Sequence, residues 1–342
     1  MIDILNLTKW EFYKILKNRI SLIMLAILTI VMCILTFNEF NDYKRYKNLE
    51  STDSSLLNLD TNWQEREELL ISSIDDYMND PYYSDIEKEA IYKRYEIAKY
   101  KLETNTQRQL YKNKLYFFSD NTFKWVSMLV VLFVSIIGAF NLSTEYTNKT
   151  INPLLLLPYK RYKILIAKYL STLLYGLISF GLVIILGILS GIIVYGFGAS
   201  GGVVILYGNS GPYTLPMFTY SMIVVALQLI NIVFYTILSF LIAVVLKSVA
   251  VATIATVLSL TIISPLNAFC ADYYDIFKFL PFVNIDFRKF LEFGSTLPAI
   301  EFNFESTVYS GITPTIASLI LAAYCLIFIF ITYYIFCKKD IK

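Results

Sequence analysis

The sequence predicts an all-α integral membrane protein with six transmembrane helices. Of its 342 residues, 56% are hydrophobic and only 16% are charged, a balance that a soluble domain of this size does not need. Six apolar stretches are long enough to cross a bilayer as helices, because about 20 residues span the hydrocarbon core. Basic residues are concentrated in the short segments at one side of these stretches, which indicates that both termini are cytoplasmic.

The elements follow from the apolar runs in chain order. Residues 1–19 are predicted to form a cytoplasmic amphipathic helix. Residues 38–124 are predicted to form an extracellular helical domain inserted between the first two spans. The six spans are predicted at 20–37, 125–142, 164–195, 217–246, 249–266 and 314–337. The other connections are a cytoplasmic loop, an extracellular loop, an extracellular or re-entrant segment and a cytoplasmic tail, at 143–163, 196–216, 267–313 and 338–342.

Charge counting supports this orientation. With both termini in the cytosol, the cytoplasmic segments and Lys168 at the start of the third span together hold 13 basic residues, against 4 acidic ones. The two large external segments hold 16 basic and 23 acidic residues. Short loops rich in Lys and Arg stay on the cytoplasmic side of a membrane, so the count agrees with the predicted topology.

The insert at 38–124 predicts a helical hairpin with its own apolar seam. Asn62 and Ser84 each precede a glutamate by three residues, a capping-box pattern that begins a helix. Asp80 and Pro81 separate the two helices. We interpret the insert as a self-packed spacer, and a role in gating or enclosing a substrate is the alternative.

Two other connections have distinct compositions. The loop at 196–216 is uncharged and rich in Gly, Ser and Tyr, which is typical of turns. The segment at 267–313 is rich in Phe and interrupted by Pro281 and Pro298, which predicts short helices at the membrane interface. Lys247 and Ser248 alone separate the fourth and fifth spans, so we expect a tight cytoplasmic turn there.

The composition argues against catalysis in this chain. There is no His, and the four Cys residues are scattered, so a clustered metal site is not indicated. The glycine-rich phosphate-binding pattern that ends in Gly-Lys-Ser/Thr does not occur. Acids are almost missing from the spans, which disfavours a gradient-driven ion carrier. We therefore expect no catalytic, metal-binding or cofactor-binding residue, and we expect the energy for transport to enter from another subunit.

The segment from Glu145 to Lys168 is unusual for a connector between two spans. It begins with an acid, continues through four leucines between Pro153 and Pro158, and ends in a basic helix start. A plain connector needs only a few polar residues. The pattern therefore predicts a docking surface for a partner protein.

This order of residues resembles the loop of ABC-2 type transporter permeases. That loop runs from Glu through Gly-Thr, an apolar stretch, Pro and a basic residue to a Lys in the next span. The positions that carry the resemblance are Glu145, Thr150, Leu154, Leu155, Leu156, Leu157, Pro158, Arg161 and Lys168, with Lys149 in the place of the usual Gly. The layout of the whole chain is also similar, and the helical insert resembles the peptide-exporting branch, such as phenol-soluble modulin exporter permeases.

The resemblance implies a set of partners. A permease of this family dimerises, with a second copy of itself as the favoured partner and a different permease as the alternative, and binds two separate ATP-binding subunits that hold ATP and Mg²⁺. Residues 145–163 would form the coupling helix and residues 1–19 the interfacial elbow helix. Glu145 and Arg161 would bond to the ATP-binding subunit, and the four leucines would fill its groove.

Two mild polar residues in the fourth span, Gln228 and Asn231, are candidates for a substrate path. They lie three residues apart and therefore on one helical face. Hydrogen bonding between helices is the simpler interpretation of such residues in a membrane. A path for an amphipathic substrate is the alternative.

These observations lead us to expect the permease subunit of a bacterial ABC exporter in the cell membrane. The expected substrate is an amphipathic peptide, such as a toxin, bacteriocin or antimicrobial peptide. An exporter of a lipid-like compound, a drug or an ion is the alternative. A membrane receptor whose extracellular domain binds a ligand is the rival from another class. An adjacent ATPase gene would support the exporter, and an adjacent kinase gene the receptor. No feature indicates binding to nucleic acid.

Overall fold

Six helices in the described part of the chain are long and apolar enough to cross a membrane, as the sequence predicts. The computed structural model describes residues 2–52, 63–82, 85–105, 114–119, 121–148, 150, 159–197, 202–208, 211–292 and 312–338. Spans 1 to 6 are Arg19–Arg45, Thr122–Thr147, Arg161–Tyr195, Met217–Leu246, Val249–Ala271 and Pro314–Cys337. The predicted all-α membrane architecture is confirmed.

The helices form because long apolar runs contain no proline in their interiors, apart from the irregular fifth span. In chain order the α-helices are α1 (Ile2–Lys17), α2 (Arg19–Thr52), α3 (Trp63–Ser72), α4 (Ile74–Asn79), α5 (Asp85–Thr104), α6 (Tyr116–Ser119), α7 (Asn121–Thr147), α8 (Arg161–Tyr195), α9 (Met217–Leu246), α10 (Val249–Leu258), α11 (Ser264–Tyr273), α12 (Pro281–Asn284), α13 (Lys289–Glu292) and α14 (Pro314–Lys338). A 3₁₀-helix covers Asp275–Phe279. The series of short helices after span 5 agrees with the Phe-rich and Pro-interrupted sequence there.

Because the spans alternate in direction, their connections lie at two ends. We call the end that carries α1 and Lys247 the terminal end, and the end that carries the insert the insert end. Helix α2 continues past span 1 as far as Thr52, so it projects from the membrane toward the insert. In the insert, α3 and α4 pack on α5, and Lys101 of α5 forms an ion pair with Glu67 of α3 at 2.6 Å.

The insert end also carries a β-hairpin that the sequence analysis treats as a plain loop. Strands β1 (Val203–Gly208) and β2 (Gly211–Pro216) pair antiparallel, with Val203 opposite Pro216. Strand β1 is an uninterrupted run of β-branched and other apolar residues, which favours a strand over a coil. The hairpin packs on α5 and on span 4, so it connects the insert to the membrane bundle.

Span 2 lies at the centre of the bundle. Within its most apolar window 72% of the residues are buried, against 22%, 22% and 17% in spans 1, 5 and 6. Spans 3, 4 and 5 pack directly on it, span 6 packs on span 4, and α1 lies along span 3. Spans 1, 5 and 6 therefore expose long apolar faces, which suits contact with lipid or with a second membrane subunit.

Small residues allow the closest approaches in the bundle. A Cβ atom at Gly138 of span 2 would collide with the hydroxyl of Ser239 in span 4. At Gly191 of span 3, a Cβ atom would collide with the backbone carbonyl of Lys114, and at Gly187 with the ring of Phe117. The spacing of Gly187 and Gly191 predicts close helix packing. The structure shows that the partner is the short segment before span 2 and not another span.

The boundary between spans 4 and 5 is a tight turn, as the sequence predicts. Lys247 ends span 4 in the left-handed conformation with φ 54°, and its N–H donates to the carbonyl of Ala243. The ammonium of Lys247 lies 5.8 Å from the centre of the Tyr146 ring, so this turn is held against the end of span 2. Span 5 is itself irregular, because a π-helical segment covers Ser259–Ile263.

Candidate functional site

A lysine lies completely buried inside span 3. The side chain of Lys168 is 0% exposed, and it lies about 10 Å along the helix from Arg161. Its ammonium donates hydrogen bonds to Oε2 of Glu11 at 2.9 Å and to Oε1 of Glu145 at 3.1 Å. Oδ1 of Asn141 accepts a third at 3.3 Å. All three protons therefore have acceptors, which is what a charged lysine in a membrane bundle requires.

Glu145 binds partners from three elements at once. It lies near the end of span 2, and its side chain is 5% exposed. Lys14 donates to its Oε1 at 2.6 Å, the same oxygen that Lys168 contacts. The hydroxyl of Thr150 donates to the other oxygen, Oε2. One carboxylate thus joins α1, span 3 and the start of the loop that follows span 2.

Helix α1 contributes one residue of each charge. Glu11 and Lys14 are three residues apart, so both lie on the face of α1 that packs along span 3. Partial desolvation lowers the pKa of Lys14, but the hydrogen bond to Glu145 and the nearby carboxylates outweigh this effect, so the pKa lies above its ordinary value. Lys14 is therefore positively charged over the physiological pH range.

We call Glu11, Lys14, Glu145 and Lys168 the charge cluster. Two carboxylates and two ammonium groups balance each other, so the cluster is neutral as a whole. Its members belong to α1 and to spans 2 and 3, and each buried charge has a partner. Removing one member of such a pair leaves an uncompensated buried charge, which costs about 3–5 kcal/mol.

Two polar side chains extend the cluster toward the middle of the bundle. Asn141 donates from Nδ2 to Oγ1 of Thr172 at 3.4 Å, while its Oδ1 accepts from Lys168. Asn141 and Glu145 lie one helical turn apart on span 2, and Lys168 and Thr172 lie one turn apart on span 3. Spans 2 and 3 are therefore joined by two successive layers of polar contacts.

The cluster is a set of charged contacts between three elements. The residues that the structure describes include no group of three or more His, Cys, Asp or Glu side chains that could hold a metal ion. Both carboxylates of the cluster are engaged by ammonium groups. What the geometry provides is a polar connection between the terminal helix, the loop after span 2 and the membrane spans.

The predicted docking residues are only partly brought together. Glu145 and Thr150 are hydrogen bonded to each other, as described above. Arg161 lies elsewhere at the terminal end, where its Nη1 donates to the carbonyl of Cys337 at the end of span 6, at 3.4 Å. The remaining docking residues, Leu154, Leu155, Leu156, Leu157 and Pro158, lie outside the described residues.

Gln228 and Asn231 are paired with each other. Nδ2 of Asn231 donates to Oε1 of Gln228 at 2.9 Å, as their spacing on one face predicts. Both line a cavity between spans 2, 4 and 5 and the segment after span 5. The cavity also borders Arg288 and Lys289, which the sequence analysis does not single out.

The sequence predicts Glu145 as a site residue but does not predict its partners. Glu11, Lys14 and Asn141 are absent from the predicted site, and Lys168 enters only through the family pattern. A signal was available, because Lys168 lies inside the apolar run of the third span. An ionisable residue in a span is costly and requires a partner, so it marks a polar site by default.

At the insert end, carboxylates again join elements that are distant in sequence. Glu39, on the helix of span 1, accepts from the Tyr195 hydroxyl at 2.9 Å and from the Ser190 hydroxyl at 3.5 Å, both on span 3. Glu96 of the insert accepts a hydrogen bond from the hydroxyl of Tyr207 in the β-hairpin. Span 3 is thus held by polar contacts near both of its ends.

Comparisons with known proteins agree with this architecture. The family profile described as ABC-2 family transporter protein matches residues 5–341. The chain is 25% identical over 217 residues to the uncharacterized protein YhcI of Bacillus subtilis (strain 168), a region that covers 63% of this chain and 66% of YhcI. No solved structure is a significant match. Because the family profile extends over almost the whole chain, this protein belongs to the ABC-2 family of transporter proteins.

Proposed function

We propose that this chain is the permease subunit of an ATP-driven exporter in a bacterial plasma membrane. It works as a dimer with two separate ATP-binding subunits, and it moves amphipathic peptides out of the cell. The terminal end is cytoplasmic in this proposal, and the insert is extracellular. Family membership and six membrane-length helices support the transport role. The excess of basic residues in the short segments supports the orientation.

The observation that carries the proposal is the charge cluster at the terminal end. An ATP-binding subunit reaches a permease from the cytoplasm, so it contacts α1 and the loop after span 2 before any span. Thr150 in that loop is hydrogen bonded to Glu145, and Glu145 is ion-paired to Lys168 in span 3 and Lys14 in α1. A displacement of the loop therefore acts on two spans and on α1 together, as a rigid-body switch requires.

We propose different roles for the docking residues. Glu145 is buried and engaged by Lys14, Lys168 and Thr150, so we propose that it positions the loop from within. Arg161 ties the start of span 3 to the carbonyl of Cys337. We expect the four leucines, Leu154 to Leu157, to contact the ATP-binding subunit directly, and this contact stays a prediction.

The composition of the spans supports an amphipathic substrate. The polar groups near the middle of span 4 are the uncharged side chains of Gln228 and Asn231, which line a cavity that has both apolar and charged residues in its wall. A carrier of small ions needs acids or carbonyl rings at this depth. A lipid-like substrate is the second candidate, and the cavity beside these two residues favours it because the lining is mostly apolar with cationic groups on one side.

The test is reconstitution with the candidate ATP-binding subunit. The two proteins are expected to copurify, and ATP hydrolysis is expected to rise when an amphipathic peptide is added. Thr150→Val removes the bond between loop and cluster, so it is expected to leave assembly intact while reducing the stimulation by substrate. Lys99→Gln, on the exposed surface of the insert, is the control. Failure of the subunits to associate would contradict the exporter proposal, and full stimulation in Thr150→Val would contradict the role of the cluster.

A further inference from the structure

A cavity of about 110 Å³ lies at the insert-end half of the bundle. It is bounded by span 2 from Phe123 to Val131, span 4 from Val224 to Tyr235, span 5 at Leu260 and Ser264, and the segment 282–289. A water needs about 10–15 Å³ of such a space, so the cavity has room for several waters or for one small head group.

The described residues of the lining include three cations and one carboxylate. Lys124, Arg288 and Lys289 border the cavity together with one carboxylate, Asp286. Asp286 forms an ion pair with Lys124, whose ammonium lies 3.6 Å from Oδ2 of Asp286. Arg288 and Lys289 are 8% and 4% exposed, so two cationic residues are more than nine-tenths buried at the edge of this space. A buried cation is stabilised by an anion at close range.

Lys289 shows the effect of this burial. Its ammonium donates to the carbonyl of Val283 at 2.9 Å and lies 5.2 Å from the centre of the Phe290 ring. Burial lowers the pKa of Lys289 to about 8, although Asp286 acts in the opposite direction. An added negative charge in the cavity favours the protonated form of this side chain.

Much of the remaining lining is apolar, with a polar point near mid-membrane. Phe123, Val131 and Leu227 form part of that lining. Asn231 has its Oδ1 buried without a hydrogen-bond donor in the described part of the chain, while its Nδ2 is used by Gln228. A buried acceptor of this kind is usually satisfied by water or a ligand. The cavity therefore offers cationic, apolar and acceptor groups within one small space.

Span 5 extends the apolar surface away from the cavity. Leu260 and Ser264 reach the cavity, while Ile262, Ile263 and Leu266 on the same turns are exposed. These residues fall in and beside the π-helical segment Ser259–Ile263. Single-turn π segments occur frequently at functional sites. An acyl chain attached to a head group in the cavity meets this apolar helix within one or two turns.

We propose that the cavity binds the anionic head group, carboxylate or phosphate, of a single-chain lipid-like amphiphile. Arg288 and Lys289 contact the anion, and the acyl chain leaves along the apolar surface of span 5. The proposal commits to a lipid because the cavity accepts one head group and adjoins an exposed membrane helix. It concerns binding by the permease alone, so it stands whether or not the exporter proposal holds.

The test measures binding to purified permease in nanodiscs of zwitterionic lipid, without any ATP-binding subunit. The probes are palmitate, lysophosphatidylglycerol and lysophosphatidylcholine, followed by native mass spectrometry and by competition against a spin-labelled fatty acid. Either anionic probe is expected to bind about tenfold or more tightly than the zwitterionic probe, the equivalent of one charge-assisted contact. Binding of palmitate alone assigns a carboxylate site, and binding of lysophosphatidylglycerol alone assigns a phosphate site.

Variants distinguish this cavity from the rest of the membrane surface. Lys289→Gln is expected to lose about tenfold in affinity for the anionic probe. Lys278→Gln is the matched control, because its ammonium pairs with Asp275 and it does not line the cavity. Lys289→Arg keeps the charge and is expected to retain binding. If Lys289→Gln fails to fold, two other measurements decide whether the cavity binds the anion. One is the comparison of the probes on the native protein, and the other is the affinity of Lys124→Gln, which changes a more exposed residue of the lining.

Three outcomes overturn the proposal. The first is equal binding of the anionic and zwitterionic probes. The second is equal loss of affinity in Lys289→Gln and Lys278→Gln. The third is that neither anionic lipid binds, while a peptide with a free carboxyl terminus competes with the spin-labelled probe and the same peptide with an amidated terminus does not. That result assigns the cavity to the carboxyl terminus of a peptide. Failure of the permease to associate with an ATP-binding subunit bears only on the exporter proposal.

Discussion

Replacing Lys168 by Met is expected to destabilise the permease by about 3–5 kcal/mol. The substitution removes an ammonium that is 0% exposed and leaves Glu11 and Glu145, with side chains 12% and 5% exposed, facing the same space. Lys14 remains as the compensating cation, but its side chain is 61% exposed. Such a loss changes the equilibrium between folded and unfolded protein by two or more orders of magnitude.

The matched control is Lys14→Met, which removes the same kind of group from the same acceptor, Glu145. Lys14 is mostly exposed, and exposed ion pairs contribute about 0–1 kcal/mol, so this variant is expected to be close to native stability. Adding Glu145→Gln to Lys168→Met removes one uncompensated carboxylate. It is expected to recover part of the loss, because contacting residues couple by about 0.5–3 kcal/mol.

The assay is reversible unfolding in mixed detergent micelles of increasing SDS fraction, followed by tryptophan fluorescence, for the native protein and the three variants. Equal costs for Lys168→Met and Lys14→Met would refute the reasoning, since burial would then have no effect. A double variant that is less stable than Lys168→Met would refute it as well. That result would mean that the bonds from Glu145 to Thr150 and Lys14 stabilise the fold by more than the uncompensated charge of Glu145 destabilises it when Lys168 is absent.

Three further predictions follow from other parts of the molecule. Gly191→Ala is expected to destabilise the fold by about 1–3 kcal/mol in the same assay, because the added Cβ collides with the carbonyl of Lys114. Gly181→Ala is the control and is expected to be neutral or slightly stabilising, because its Cβ would meet open space. Equal effects would contradict the packing described. The affinity for an anionic amphiphile is expected to weaken as the pH rises through about 8, because the anion stabilises protonated Lys289. The loss is at most tenfold per pH unit. A titration of affinity from pH 6 to 10 tests this, and a flat profile would exclude Lys289 from the site. Deletion of residues 46–116 with a short linker is expected to leave membrane insertion and assembly with the ATP-binding subunit intact, and loss of either in a copurification experiment would show that the insert is required.

The membrane architecture is predictable because burial in lipid places a strong and local demand on sequence. Each span must be about 20 apolar residues long, and the turn at Lys247 follows because two residues separate two such runs. The β-hairpin at 203–216 is harder to predict, because its apolar run is short and lies beside a longer apolar helix. A short apolar run is compatible with a strand or with part of a helix, and periodicity alone does not decide between them.

The charge cluster required packing information that no single segment contains. Lys168 is separated from Glu11 in sequence by span 1, the insert, span 2 and the loop that follows it, and only the placement of α1 along span 3 brings them together. A buried lysine predicts that an acid is near, but it does not say which acid. Glu11 gave no local signal, because an acid in an amphipathic helix is ordinarily exposed to water. The site was therefore predictable as a requirement of Lys168 and not as a set of residues.

The polar contacts of span 3 define which parts of the bundle move together. At the terminal end Lys168 binds Glu11 of α1, and at the insert end Tyr195 and Ser190 bind Glu39 of the helix that contains span 1. Helices α1 and α2 are consecutive, so the N-terminal 52 residues are attached to span 3 at two distant points. Any rotation of span 3 that keeps both carboxylates bonded must carry α1 and span 1 with it. Span 6 has a largely exposed apolar face and is bonded to span 3 through Arg161 and the carbonyl of Cys337, so a displacement of span 3 relative to span 6 acts on that bond.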